Sequence, residues 1–517
     1  MAQPVLSLPR YIALKPGPQD GHDLYLALAP LNGVPYLTFT AQQKTRFATH
    51  EVVYNTDVSG VVMIRAPNRR FWRRNDAGYI VADREEIPDP SIAQDRACYF
   101  RVTGQASNMI VLQSLVDDLY LKRYTHTIRD GYCAITRTID PWTTMQFTAA
   151  DDTAITLPRY IMLFGDNKMY VGDHRERNID WLKFNKPDER LSAAHEVIPL
   201  VDGNVMIRNI NINKFWRRSP NWIWADADAS DALRKIDCHF DVIKLSSTLV
   251  AFKSKANNLF LKRYSDYWQD CLCAIGNNIN DSTTRLVLSE ALLSRRLFNI
   301  RYLLELAEVS NITPIIVGSG SMRNDTNLTT SMEVLVSITR TVSTSETWSI
   351  SNTFSSSLTV GFSVGVPEVA SVNGSVTIGH ERTISTEMGK TAEEAVQFQT
   401  TYKVDDVPPR MEVKVTVECT TAKCRVPFTY SSSDTRVDGV DLPAVNNNVD
   451  GIFEGVSAFN IRGVVSEVGR STPIQILPVG LNGRANFCLR LRSALLQNRP
   501  LSRGSSSYSF DIPLLGK

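Results

Sequence analysis

The residues that could move protons, attack carbonyls or bind metals are present in this chain but are not spaced for that work. The seven histidines, at 22, 50, 126, 174, 195, 239 and 380, show no metal-ligand spacing, and Cys271-Leu-Cys273 is one residue short of a C-x-x-C pair. The paired acids Asp117-Asp118, Asp151-Asp152 and Asp405-Asp406 lie beside turn signals and read as solvated loop residues. No phosphate-cradling loop, no G-x-S-x-G nucleophile elbow and no dinucleotide fingerprint occurs. The sequence therefore predicts no catalytic residue, no metal and no cofactor, and the chain is not read as an enzyme. What remains is surface chemistry, which depends on the elements that carry it.

The 517 residues are 43% hydrophobic and 21% charged, an ordinary globular composition with room for three or four domains. Lys and Arg (56) nearly balance Asp and Glu (54), so bulk charge gives no case for nucleic acid. No stretch approaches 18 consecutive apolar residues, which excludes a transmembrane helix. The first ten residues lack a basic segment followed by an apolar core, so no secretory leader is expected and the location reads as cytoplasmic. Eight cysteines are too sparse for a disulfide scaffold, although Cys419 and Cys424 could bridge in an oxidising setting.

Internal repetition is the strongest signal. Leu8-Pro-Arg-Tyr-Ile12 recurs at 157–161, Val62-Met-Ile-Arg65 at 205–208, Phe71-Trp-Arg-Arg74 at 215–218, and Leu119-Tyr-Leu-Lys-Arg-Tyr124 returns as Leu259-Phe-Leu-Lys-Arg-Tyr264. The matches are collinear, so residues 1–150 and 151–293 are two copies of one domain. Each copy holds three shorter units, an alternating apolar strand, a polar turn and an aromatic-led strand, which read as β-hairpins. Six such units could build a six-bladed propeller or two three-lobed barrels. Grouping in threes favours two tandem β-trefoils.

From Ser294 the chain changes character. No Lys occurs between Lys262 and Lys390, and 21 of the 50 residues from Ser337 to Thr386 are Ser or Thr. Residues 298–306 alternate at period two, which favours strand over the helix their Leu and Glu content would allow. At even positions from 348 to 366, eight of ten residues are apolar: Trp348, Ile350, Phe354, Leu358, Val360, Phe362, Val364 and Val366. The odd positions between them hold only Ser, Thr or Gly. After Pro367-Glu-Val369, alternation resumes through Val372, Val376 and Ile378. The pattern predicts a hairpin over 348–385 with one apolar and one hydroxylated face. Such a hairpin fits a half-buried sheet in a soluble sandwich. It also fits a barrel wall with lipid outside and water inside, in which case several chains must contribute strands to close the barrel.

The repeated Leu-Pro-Arg-Tyr-Ile, Phe215-Trp-Arg-Arg-Ser-Pro-Asn-Trp-Ile-Trp-Ala-Asp226 and Leu259-Phe-Leu-Lys-Arg-Tyr264 resemble the amaranthin-type agglutinin domain of plants. Residues 294–468 are similar to the aerolysin-like module fused to such lectins, through Thr347-Trp-Ser349, Val404-Asp-Asp-Val-Pro-Pro409 and Cys424-Arg-Val-Pro-Phe-Thr-Tyr430. The resemblance implies an all-β chain: two tandem β-trefoils, then an elongated aerolysin-like β-sheet module, with a C-terminal extension at 469–517. It implies binding of galactose- or N-acetylgalactosamine-type glycans, the Gal-GalNAc disaccharide among them. It also implies head-to-tail dimers through the lectin domains, and a ring through the third module that enters a membrane. The positions matching the family's sugar loops are Asn75, Asp76 and Tyr79 in the first copy and Asn221, Trp222 and Trp224 in the second, with His195 on a facing trefoil. Aromatic faces pack on the apolar side of a pyranose while Asn and Asp orient hydroxyls. Packing at the base of the trefoil is the competing role for Trp222 and Trp224.

These expectations combine into a lectin with a pore-forming module, serving plant defence or stress. The alternative is a soluble multivalent lectin whose third module only mediates assembly. The segment 470–517 reads as a linker, a disordered extension, or an element masking the hairpin.

Overall fold

The computed structural model describes residues 8–54, 60–106, 108–188, 191–340, 342–350, 354, 358–396, 401–468 and 473–478. The chain is all-β, with only short helical turns between strands. Among the described residues no helix is long and apolar enough to cross a membrane.

In the first copy, strands Tyr11–Pro16, His50–Tyr54, Val61–Arg65, Phe100–Ala106, Met109–Ser114 and Met145–Ala149 pair in that order, and the last pairs back to the first, closing a ring. Three hairpins cap it: Tyr25–Leu31 with Val34–Ala41, Phe71–Arg74 with Ile80–Arg84, and Tyr120–Tyr124 with Gly131–Thr136. The second copy repeats the arrangement with a ring from Tyr160–Phe164 to Leu286–Glu290. This ring-and-cap layout in three lobes is that of a β-trefoil, and it follows from the sequence pattern: each unit alternates apolar and polar residues around a turn. The two-residue turn Asn32-Gly33, with φ of 52° and 80°, suits the twist of its hairpin. Ile12, Leu14, Ile64, Trp72, Phe100 and Tyr132 fill the first ring, and Ile161, Leu163, Ile207, Trp216, Phe240 and Phe252 fill the second.

Arg46 joins the copies. Its guanidinium donates to Gly203 O (2.9 Å) and Asn204 Oδ1 (3.2 Å) and pairs with the Asp241 carboxylate.

The third module is a long antiparallel sheet whose spine is Glu412–Arg436 against Val445–Glu467. Leu292–Tyr302 and Glu308–Arg323 lie along one side of the spine, and Val342–Ser349 lies on the other. The segment 292–302 is strand, as its alternation predicts, followed by a short 3₁₀ turn at Leu304–Leu306. Gly318 and Gly320 let another strand cross at close range, since a Cβ on Gly320 would fall 1.8 Å from Leu335 O. Arg295 fastens the module to the second copy, donating twice to Asp434 (2.8 Å each) and pairing with Glu290 at 3.2 Å. A cavity of about 1880 Å³ opens where the three parts meet.

Two expectations change. The C-terminal extension is not wholly separate, because Pro473–Pro478 adds an edge strand beside Arg462–Ser466. The rest of the tail lies outside the described residues. Cys419 and Cys424 are free and buried in different apolar clusters. Five residues apart on one strand, roughly 16 Å at about 3.3 Å per residue, they are too distant to bridge.

Candidate functional site

In the second copy the cap hairpins converge on their inner strands, where Trp181 pairs with Trp224, Lys183 with Cys271 and Trp222 with Cys273. This places four tryptophans around one point. Trp181, 2% exposed, is the hub. Its ring lies 5.7 Å from Trp222, 5.7 Å from Trp224 and 4.8 Å from Trp268. Tyr264 (5.9 Å from Trp222) and Tyr267 (5.0 Å from Trp268) extend the aromatic surface outward. Trp222, Trp224 and Trp268 are half-buried, and Tyr267 is 70% exposed.

Polar groups frame these rings. Lys183 donates to Glu176 Oε2 at 2.8 Å, and this bond holds the Glu176 carboxyl below its usual pKa. Burial, then the nearby Lys183 charge, lowers the pKa of His174. Arg217 lies 5.4 Å from the centre of the Trp224 ring and is held by two bonds to Asp226. Arg177 spans Tyr267 and Trp268, 5.5 and 4.9 Å from their ring centres, and donates to Tyr267 Oη at 3.1 Å. Asn221 is exposed at the edge, its Oδ1 accepting from Arg218 at 3.2 Å. The arrangement offers apolar faces edged by donors and acceptors, a surface matched to a small amphipathic ring such as a sugar.

The structure brings Asn221, Trp222 and Trp224 together in this way, and it adds Trp181, Tyr264, Tyr267 and Trp268, which the sequence reading did not single out. The repeat contained the signal. Trp181, Trp222, Trp224 and Trp268 occupy the positions of Tyr36, Tyr79, Val81 and Ile128 in the first copy. There the smaller side chains close into an apolar cluster of Tyr36, Tyr79, Ile128 and Cys133. Tyr79 is 7% exposed, packs edge-on against Tyr36, and its hydroxyl accepts from Ile128 N. Asn75 spends its Oδ1 on the Tyr79 amide within the turn (2.9 Å), while Asp76 is exposed. The first-copy trio is therefore a turn over a closed cap whose aromatic member, Tyr79, is buried, although Tyr124, the counterpart of Tyr264, is exposed.

His195 also needs correction as a sugar residue. It is fully buried, accepting from Trp216 Nε1 (3.2 Å) and donating to Val171 O (3.2 Å). Burial lowers its pKa to about 4, so it is a neutral core group. His50 repeats the arrangement with Trp72 and Leu26 O.

The two-faced ribbon is shorter than its pattern implied. Trp348 belongs to a separate strand, Val342–Ser349, where it is 2% exposed and donates to Tyr302 Oη at 3.2 Å. Ile350 and Leu358 lie outside the strands, and Phe354 is buried against the core of the second copy. The hairpin itself pairs Thr359–Val369 with Val376–Glu387 around a turn at 370–375. Pro367 sits inside the first arm rather than at the turn, beside a register shift between Gly365 and Pro367, where its missing N–H is tolerated. The shift carries the buried side from even positions to Val369. Val360, Phe362, Val366 and Val369 pack on Leu297, Trp348, Phe428 and Phe453, with Val364, Val376 and Ile384 partly covered. Val372, in the turn, and Ile378 are instead 56% and 45% exposed. Ser363 and Thr383 share a hydrogen bond (2.8 Å) on the outer face. Among the described residues, two parallel pairs join the first arm to the sheet, Arg295–Val360 and Arg296–Gly361, and Val369 N donates to Ser457 Oγ at 3.3 Å.

No protein-family model matches the chain, and no curated protein matches it. Among solved structures it is similar to a lamprey immune protein (16% identity, TM-score 0.29, covering 60% of this chain and 90% of that one). It is also similar to a mosquitocidal holotoxin (9%, TM-score 0.30, 63% and 38%) and a Polyporus squamosus lectin bound to an influenza-binding epitope (7%, TM-score 0.23, 29% and 52%). At these scores nothing is carried from those proteins to this chain.

Proposed function

We propose that this protein binds galactose- or N-acetylgalactosamine-type glycans through the tryptophan-rich cap of its second copy, then assembles and inserts the 359–387 hairpin into a membrane as part of a multi-chain barrel. The observation that carries this reading is the hairpin: a face that buries Val360, Phe362, Val366 and Val369, an outer face that carries Ser363 and Thr383 with the exposed Glu368 and Glu381, and a backbone tether of two parallel pairs. Its arms of 11 and 12 residues suit a transmembrane strand of about 9–11 residues. Freeing four buried apolar side chains costs about 6–12 kcal/mol at about 1.5–3 kcal/mol each. Burial in acyl chains and pairing with neighbouring hairpins would offset that cost. Multivalent attachment to a glycan-bearing surface raises the local concentration that assembly requires.

One observation favours the second reading, a soluble multivalent lectin: the apolar face already has a home within its own module. The two are separated by dye release from vesicles bearing galactose-type glycolipid. Release that free galactoside abolishes supports insertion. Tight vesicle binding without release supports the soluble lectin.

A further inference from the structure

Among the cations framing the tryptophan cap, Lys183 is paired with Glu176, Arg217 with Asp226, Arg175 with Asp180, and Arg263 with Asp166 and Asp270. Arg177 differs. It is exposed and makes no ion pair among the described residues, yet two aromatic rings and the Tyr267 hydroxyl hold its guanidinium in place. Its backbone position is also unusual. Arg177 and Asn178 form a two-residue hairpin turn with φ of 48° and 65°. The first copy makes the same turn with Asn32-Gly33, residues that suit this region far better than arginine does.

We propose that Arg177 is a specificity-determining residue: the second-copy cap selects a sugar chain carrying an acid group, a carboxylate or a sulfate ester, attached to the saccharide whose ring packs on the tryptophans. This rests on the cap being the sugar site. The guanidinium spends one N–H on Tyr267 Oη and keeps others free for a bidentate contact with a planar or tetrahedral anion. Because Tyr267 accepts from Arg177, its own O–H is free to donate to the same anion. Stacking on Trp268 limits the side chain's freedom before binding, which lowers the entropic cost of the contact. Glu176, Asp180, Asp226 and Asp270 near the cap are already paired with other cations, while Asp266, beside Tyr267, is exposed and makes no ion pair among the described residues.

The test is isothermal titration of the full chain with lactose, 3′-sialyllactose and 3′-sulfolactose at low and high salt. The expected result is at least about tenfold tighter binding of both acidic sugars than of lactose, a margin that shrinks with salt. In Arg177→Gln the acid-to-neutral affinity ratio should fall to about one, and Tyr267→Phe should reduce it in part. Equal affinity for lactose and its acidic forms, or a ratio unchanged in Arg177→Gln, overturns the acid selectivity while leaving the cap as a sugar site. No binding of any of the three overturns both readings.

Discussion

Val364→Lys tests the two-faced hairpin at its centre. Val364 is the middle residue of the 11-residue arm and is half-buried against the module core. In the stowed state a lysine there can lay its stem along the apolar surface and carry its ammonium to water, so the folded protein loses little. In the inserted barrel the same position faces acyl chains near the midplane, directly across the hairpin from Arg382, and a further cation there costs about 2–4 kcal/mol per chain. Even 2 kcal/mol in one chain is about a 30-fold loss in the inserted population, and the penalty recurs in every subunit. Ser363, next to it, faces outward and bonds Thr383 across the hairpin. Ser363→Lys puts the same charge on the water-lined side and should reduce dye release far less. The assay is release from glycolipid vesicles, with thermal unfolding and sugar affinity as controls. Equal release by wild type and Val364→Lys, with both controls unchanged, refutes the assignment of faces.

Three further outcomes follow from the packing. His50 and His195 are buried neutral with pKa near 4 against 6.5 in an unfolded chain, so the unfolded state takes up protons first. Their stability is complete above pH 6.5 and falls by about 1.4 kcal/mol per pH unit for each histidine down to about pH 4. The double variant His50→Gln/His195→Gln should show a shallower decline in urea midpoint over that window, and an identical slope would contradict the assignment. Phe354→Ala should remove about 3–5 kcal/mol of docking between the hairpin's leading segment and the second copy, speeding dye release; unchanged kinetics and melting would show that Phe354 anchors nothing. Gly320→Ala drives a methyl into Leu335 O and should destabilise the third module by at least about 1–3 kcal/mol, visible as an earlier melting transition.

Much of the architecture was legible because repetition is collinear: the Leu-Pro-Arg-Tyr-Ile and Phe-Trp-Arg-Arg blocks fixed two copies of three hairpin units. The site was legible only in part. Trp222 and Trp224 lie within a recognisable block, but Trp181 and Trp268 stand opposite Tyr36 and Ile128. Only pairing the copies residue by residue reveals four positions enlarged together. The same pairing places His195 opposite His50, each beside a buried tryptophan, which marks a structural pair rather than a ligand contact. Alternation showed that 348–385 is strand-forming but could not show where a strand stops. A period of two in the sequence runs on through Val342–Ser349 and Thr359–Val369, which are separate strands with different partners, and a bulge moves the buried side without disturbing composition. Alternation alone therefore places Trp348 and Phe354 in the hairpin, although tertiary contacts use them elsewhere.

The most direct test of the central claim is a fluorescence scan. Single cysteines at 359–364, labelled with an environment-sensitive dye, are read in solution and again on vesicles carrying galactose-type glycolipid. Insertion predicts that positions 360, 362 and 364 shift to a lipid-like emission that lipid-phase quenchers reach, while 359, 361 and 363 stay aqueous. A scan on bound vesicles that matches the solution scan would contradict it and leave the hairpin a fixed part of the third module.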